Sequence, residues 1–461
     1  YIMSFSINSS ILREYDIRGV VDQTLTVQDA FLVGWSFAKL IGNDYINVGC
    51  DGRLSSPRLT EALISGLIEG GAKARFIGRG PTPMLYFSTF SKENKALAGI
   101  MVTGSHNPPT HNGFKFIYKG RPFFGSEIKS LKNISNSYNG NFPTHSDYES
   151  VDCSELYIER LLKDCKTVSE LKVAWDPGNG AAGEIVEKLV KRLSGTHVVV
   201  NEKIDGTFPA HHPDPTVKEN LEQIISIVLE QGCDFGVAFD GDGDRIGVVD
   251  SKGRIIWGDQ LLLLFAKEIL DHKPNSVIIA DVKASQKLFE GIKSYGGRPL
   301  MWKTGHSLIK TKMHEQDSPL AGEMSGHIFF ADRYYGFDDA LYAALRLINI
   351  LASSKQSLSS IIDSFPVVFN TPEIRIDCDD QRKFSVIDEV KKLLDGQNKK
   401  YNDIDGIRYN CDEGWWLLRA SNTQAVLVVR CEADSEYNLK ILCQDISAIL
   451  SVYDLDVSAL Q

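Results

Sequence analysis

Residues Lys172 to Val190 read KVAWDPGNGAAGEIVEKLV. A short apolar run ends in an aspartate, a loop of small residues follows, and an amphipathic helical pattern closes the segment. The same succession recurs in NVGCDGRLSSPRLTEALISGL (Asn47 to Leu67) and in SVIIADVKASQKLFEGIK (Ser276 to Lys293). The three strand-ending aspartates, Asp51, Asp176 and Asp281, lie 125 and 105 residues apart, spacings that fit three related α/β domains in tandem. After Phe365 the order changes to strand (EIRIDC), helix (KFSVIDEVKKLLDG), strands (DGIRYN, WWLLRAS, AVLVVRCEA) and a last helix (SEYNLKILCQDISAIL). That order predicts a smaller C-terminal α+β domain, with boundaries near residues 150, 252 and 366. In the helix expected over Glu219 to Gln231, Leu221, Ile224, Ile225, Val228 and Leu229 share one face, read as core.

Composition sets the class. The chain has 461 residues, 43% of them hydrophobic and 24% charged, as in an ordinary globular protein. The longest apolar runs, such as LLLLFA at Leu261 to Ala266, fall far short of the ~20 residues of a membrane-spanning helix. The first residues, YIMSFSINSS, have neither a basic start nor an apolar core of signal-peptide length, so no export is expected. Eight cysteines without a CxxC pair suit reduced thiols in a cytoplasmic enzyme. The net charge of -10 disfavours a nucleic-acid partner, and any phosphate must be held by local basic clusters.

The strongest chemical signal is DGDGDR at Asp240 to Arg245, between the apolar strands FGVAF and IGVVD. Carboxylates at alternate positions of a tight glycine-containing loop repel one another unless a cation lies among them, and oxygen ligands suit Mg²⁺ or Ca²⁺. A solvated acidic turn is the plainer alternative. An EF-hand would need Gly and Glu where Arg245 and Ser251 stand. In GEMSGH (Gly322 to His327), Glu323, Ser325 and His327 alternate; an extended segment would project them to one side, as a reader of hydroxyl groups or as the polar face of a half-exposed strand. RASNTQ (Arg419 to Gln424) offers a guanidinium, two hydroxyls and an amide between two strands, a phosphate grip or an ordinary hairpin turn. TGSHNPP (Thr103 to Pro109) puts a serine beside a histidine in a proline-stiffened loop, where turn chemistry alone could explain the serine.

GNGAAG at Gly178 to Gly183 matches the dinucleotide fingerprint, with a strand ending in Glu202 some 20 residues on. Asp176 and Pro177 intervene between strand and first glycine, however, and nothing else in the chain suggests hydride chemistry.

Taken in order, REYDIRG (Arg13 to Gly19), TGSHNPP, DGDGDR, KTGHS (Lys303 to Ser307), GEMSGH and RASNTQ resemble the α-D-phosphohexomutase superfamily, most closely its bacterial phosphomannomutase/phosphoglucomutase group. The resemblance spans essentially the whole chain. It implies four domains around a central cleft: a phosphoserine-loop domain (1–150), a metal-binding domain (151–252), a sugar-binding domain (253–366) and a phosphate-binding C-terminal domain (367–461). It also implies that Ser105 carries a phosphoryl group in a loop fixed by His106. Asp240, Asp242 and Asp244 would bind one Mg²⁺ together with an oxygen on Ser105. Glu323 and Ser325 would read sugar hydroxyls, with His306 and His327 nearby. Arg419, Ser421, Asn422 and Thr423 would hold the phosphate that is not reacting, and Tyr15, Arg18, Lys115, Arg245 and Lys283 are further matches.

The implied reaction interconverts hexose 1-phosphate and hexose 6-phosphate, of mannose, glucose or both, through the phosphoserine and a hexose 1,6-bisphosphate that serves as intermediate and activator. Lys115 or a neighbouring His or Arg would act as base. The alternatives are a phosphoglucosamine mutase and a metal-dependent sugar phosphatase. A monomer is expected, with a phosphosugar substrate and neither nucleic acid nor membrane as partner.

Overall fold

The strands that end at Asp51, Asp176 and Asp281 prove to be topological equivalents. The computed structural model describes residues 5–422 and 424–460. In it, Tyr45–Cys50, Lys172–Asp176 and Val277–Asp281 lie inside a seven-, a five- and a four-stranded sheet. Each is flanked by two parallel neighbours: Lys73–Arg79 and Ala98–Val102 in the first sheet, Thr196–Val199 and Phe235–Phe239 in the second, Arg298–Trp302 and Leu320–Gly322 in the third. Beyond the second neighbour runs an antiparallel strand, His111–Tyr118, Ile246–Asp250 or Ile328–Phe330. The loop that turns the chain from parallel to antiparallel therefore occurs once per unit. It carries TGSHNPP in the first, DGDGDR in the second and EMSGH in the third.

The central strands are apolar because both of their faces are covered, and every residue of Ala98–Val102, Phe235–Phe239 and Val277–Asp281 is buried. The helices that follow the aspartates, Ser56–Glu69, Gly183–Val190 and Gln286–Ser294, bury one side each through residues such as Leu63, Ile185 and Leu288. The helix expected at Glu219 starts later: Lys218–Leu221 is a 3₁₀ turn and Glu222–Gln231 the helix proper. Its core stripe is also narrower than expected. Leu221, Ile224 and Val228 are buried, whereas Leu229 is 54% exposed, because a surface helix resting on a sheet covers only the residues facing it.

A continuous apolar cluster joins the first three units, with Ile77, Met84, Trp175, Phe239, Phe265, Leu320 and Tyr342 among its members. The C-terminal unit has its own core, including Ile376, Val390, Trp416, Leu418, Val429 and Ile446. It is built on an antiparallel six-stranded sheet with the helices Lys383–Gly396 and Glu436–Ser451. All eight cysteines are free, and among the described residues no helix is long and apolar enough to cross a membrane.

The C-terminal unit meets the third through buried polar groups. Arg408 donates to the carbonyls of Val282 (2.7 Å) and Ala284 (2.6 Å) and stacks on Trp415, 3.7 Å from its centroid. Glu432 Oε1 accepts from Ser285 Oγ (2.9 Å) and from the Gln286 amide (3.0 Å). A small apolar cluster of Val282, Trp415 and Leu417, with Met301 and Ile404 half-buried against it, accompanies them. Removing Arg408 strands two buried carbonyls and the Gln286 side-chain oxygen, so Arg408→Ala is expected to lower stability by about 2–4 kcal/mol, read as a shifted urea midpoint.

Candidate active site

Ser105 is held in an unusual conformation by a residue outside its motif. Its backbone is left-handed (φ 51°) and it is 2% exposed. A non-glycine residue stays there only when its surroundings hold it. Arg53, 1% exposed, supplies the restraint: Nη2 donates to the carbonyls of Ser105 (2.8 Å) and Asn107 (2.6 Å), Nη1 to those of Pro108 (2.5 Å) and His111 (3.0 Å), and Nε to Asp51 Oδ2 (3.2 Å). Asp51 also accepts from Thr103 Oγ1 (2.8 Å) and the Gly104 amide (3.1 Å). Arg18 Nη1 adds contacts to Asn107 Oδ1 (2.5 Å) and the Gly104 carbonyl (3.2 Å).

So fixed, Ser105 Oγ points at the acidic loop of the second sheet, 3.1 Å from Asp240 Oδ2 and 3.2 Å from His106 Nδ1. The two loops touch at the backbone. A β-carbon on Gly241 would lie 2.2 Å from the Ser105 carbonyl, so only glycine fits there. Asp240, Asp242 and Asp244 are fully buried, with one ligand atom of each within 4.8 Å of the others. Asp240 Oδ1 accepts from the amides of Asp244 and Arg245, both at 3.1 Å. Lys115 Nζ donates to Asp242 Oδ2 (2.7 Å) and Asp244 Oδ2 (2.5 Å). Among the described residues Asp242 Oδ1 has no hydrogen-bond donor, and Asp244 Oδ1 faces only the imidazole of His327, 3.3 Å away. Burial, then Asp244 and Asp242, pushes the Asp240 carboxyl well up, while burial of Lys115 is outweighed by Asp242 and Asp244, which hold its ammonium charged. Crowded carboxylates with a donor-free oxygen are the donor set of a hard divalent cation.

GNGAAG serves this loop rather than a nucleotide. Its amides are occupied: Asn179 donates to the Asn201 carbonyl, Gly180 to that of Pro177, and Ala181 to that of Gly241 in the acidic turn, each at 2.9 Å.

GEMSGH is a tight turn, not the extended segment that strict alternation suggested. Gly326, at φ 94°, reverses the chain, and its amide donates to the Glu323 carbonyl (3.0 Å). Glu323 and His327 still converge: Glu323 Oε2 is 2.9 Å from His327 Nδ1, with Ser325 Oγ 3.1 Å from the same nitrogen. His327 Nε2 lies 3.3 Å from Asp244 Oδ1 and 3.3 Å from Arg245 Nε, so this imidazole joins the acidic loop to the third sheet's loop. Burial disfavours its charge, but Asp244 and Glu323 prevail and push it up to about 9. His106 goes the other way, held well below the usual histidine value by burial and by Arg245 and Arg18. His306 is likewise lowered by burial and Lys310, its ring 5.6 Å from that of His327.

The remaining residues close the arrangement. Lys283 Nζ pairs with Glu373 Oε2 (2.9 Å) across the two units. Arg419, 5% exposed, donates through Nε to Asp405 Oδ2 (3.1 Å). Asn422 Nδ2 donates to Tyr15 Oη (2.7 Å), which donates to the Thr304 carbonyl (2.9 Å), and Ser421 is buried in the same loop. Thr423 lies outside the described residues. Sequence reasoning missed Arg53, Asp405 and Lys383, whose buried ammonium supports the Arg419 loop through the Ser421 (2.6 Å) and Gln424 (3.0 Å) carbonyls. For Arg53 a local signal existed, two residues after the strand-ending Asp51; for Lys383 there was none.

Family profiles match the chain in sequence order: phosphoglucomutase/phosphomannomutase alpha/beta/alpha domain I over residues 9–141, domain II over 155–253, domain III over 257–368 and the C-terminal domain over 373–449. The chain is 44% identical over 443 residues to a phosphomannomutase/phosphoglucomutase of Pseudomonas putida, covering 95% of each protein. It is 38% identical over 454 residues to a phosphoglucomutase of Neisseria gonorrhoeae, covering 96% of this chain and 97% of that one. The crystal structure of a family protein from Burkholderia thailandensis, 40% identical, superposes with a TM-score of 0.90 over 97% of this chain and 98% of its own. Four matched domains in order, together with a buried serine facing three buried carboxylates, make this chain a member of the phosphoglucomutase/phosphomannomutase family, within the α-D-phosphohexomutase superfamily.

Proposed function

We propose that this chain interconverts the 1- and 6-phosphates of mannose, glucose or both, through phospho-Ser105 and a hexose 1,6-bisphosphate. The observation that carries the reading is Ser105 Oγ, 3.1 Å from Asp240 Oδ2 in a loop whose carbonyls Arg53 holds. In the forward half-reaction the P–Oγ bond of phospho-Ser105 breaks as phosphorus bonds to O6 of the hexose 1-phosphate, and O6 gives up its proton. The bisphosphate turns, Ser105 Oγ bonds to the phosphorus on C1, that P–O1 bond breaks, O1 takes up a proton and hexose 6-phosphate leaves.

Asp240, Asp242, Asp244 and a phosphoserine oxygen would hold one Mg²⁺, and the donor-free Asp242 Oδ1 and the convergence of the three buried carboxylates fit that assignment. When bound, the ion neutralises phosphoryl oxygens in transit. Lys115 and Arg18 add positive charge beside Ser105. His106, kept uncharged, is the base that moves the proton between the sugar hydroxyl and Ser105 Oγ, while His327, charged between Asp244 and Glu323, ties the acidic loop to the sugar-reading loop. Glu323, Ser325, His306 and Lys283 read hydroxyls. Arg419, Ser421, Asn422 and Tyr15, with Thr423 by motif, grip the phosphate that is not transferring. Opening of the C-terminal unit along its polar seam would let the bisphosphate turn.

Ser105→Ala is expected to reduce conversion of glucose 1-phosphate and mannose 1-phosphate, followed by ³¹P NMR with added bisphosphate, by about 10³-fold or more while hexose phosphate still binds. Retained turnover would refute the phosphoserine role, and release of inorganic phosphate by the unaltered protein would indicate a phosphatase. Asp242→Asn should weaken Mg²⁺ at least about 10-fold, seen in the Mg²⁺ dependence of turnover and in Mn²⁺ binding. His327 gives a pH test: its folded value of about 9 exceeds the unfolded ~6.5, so its contribution is complete below ~6.5 and lost as pH rises to about 9. In chelator, urea midpoints should fall over that interval, and His327→Asn should flatten the fall.

A further inference from the structure

We propose that Asp405 is a positioning residue for the transfer reaction: it aims the Arg419 fork at the non-reacting phosphate and sets that grip at a fixed distance from the sugar-reading carboxylate Glu323. The proposal rests on the mutase reading above. Asp405 belongs to the loop between Tyr401–Asn402 and Ile407–Cys411 and to none of the motifs that identified the family. The loop lies directly on the backbone that carries Arg419. A β-carbon on the following Gly406, at φ 76°, would meet the Arg419 Cα at 2.7 Å.

One oxygen of Asp405 does two things. Oδ2 accepts from Arg419 Nε (3.1 Å) and from the Thr304 amide (3.0 Å), while the next amide, Gly305, donates to Glu323 Oε1 (2.6 Å). Consecutive peptide groups of the KTGHS loop thus tie the partner of the phosphate grip to the hydroxyl reader, across the seam between the third and C-terminal units. Tyr15 braces the same peptides from the first unit: its hydroxyl donates to the Thr304 carbonyl (2.9 Å), and a β-carbon on Gly305 would lie 2.5 Å from its ring.

Among the described residues, Arg419 makes its side-chain hydrogen bond through Nε alone. With Nε engaged, rotation about the last side-chain bonds is fixed, and the two terminal nitrogens present their paired donors to an anion. A substrate that must react first at one end and then at the other gains from this. Its spectator phosphate and its ring hydroxyls are held at one separation in both orientations. The carboxylate also repels a bound phosphate, so the sign of the mutational effect discriminates. Positioning predicts weaker substrate binding on removing the charge, whereas a carboxylate that merely competes with phosphate predicts tighter binding.

The test is steady-state turnover of glucose 1-phosphate and mannose 1-phosphate at saturating Mg²⁺ and glucose 1,6-bisphosphate, for the full-length wild type, Asp405→Asn, Arg419→Lys and the double variant. Asp405→Asn is close to isosteric, and its KM should rise about tenfold with kcat within about threefold of wild type. In the Arg419→Lys background, which has no Nε for Asp405 to engage, the same change should move KM less than about twofold. A lowered or unchanged KM in Asp405→Asn, or an equal rise in both backgrounds, overturns the proposal. Absence of wild-type turnover on any hexose phosphate overturns the underlying reading instead.

Discussion

A fully buried guanidinium holds Ser105 where no regular element could. Arg53 uses Nε and both Nη groups on Asp51 and on four carbonyls of the Ser105 loop, fixing a left-handed residue whose own backbone preferences point elsewhere. Carbonyl oxygens that converge on one cation are costly to leave unmade. The loop therefore has one low-energy shape, and Ser105 Oγ meets the acidic turn in one orientation. Everything downstream is arranged around that point: Gly241 passes beneath the Ser105 carbonyl, Lys115 spans two of the three carboxylates, and His327 relays from Asp244 to Glu323.

The division of labour follows from topology. Because each of the first three units turns from a parallel to an antiparallel strand at the same place, its working loop leaves the same end of its sheet. The strand-ending aspartate then steadies the neighbourhood. Asp51 holds Thr103 and Gly104, Asp176 takes the Gly178 amide and pairs with His211, and Asp281 accepts from Thr304 Oγ1. One strand arrangement, repeated three times, thereby yields three loops with different residues, brought together by a shared core.

The fold class was legible because strand, aspartate and helix repeat with a period that composition alone would not produce, and the acidic loop was legible because three carboxylates in six residues demand an explanation. Other features were hidden for definite reasons. Lys383 and Asp405 bind main-chain groups or partners far along the chain, and such contacts leave no pattern of residue types. GEMSGH alternates like a strand, yet a glycine able to take positive φ turns it. GNGAAG has every letter of a nucleotide loop, but its amides are already spent on the Asn201, Pro177 and Gly241 carbonyls, an allocation visible only in three dimensions.

The polar seam between the C-terminal unit and the rest bears on how the protein behaves in a crowded solution. Parting the seam uncovers carbonyls, carboxylates and guanidinium groups that water can solvate, together with the small apolar cluster of Val282, Trp415, Leu417, Met301 and Ile404. The large apolar cores stay closed. Separation along this line therefore carries a small heat-capacity change and exposes almost nothing adhesive, so an opened molecule is no more prone to aggregate than a closed one.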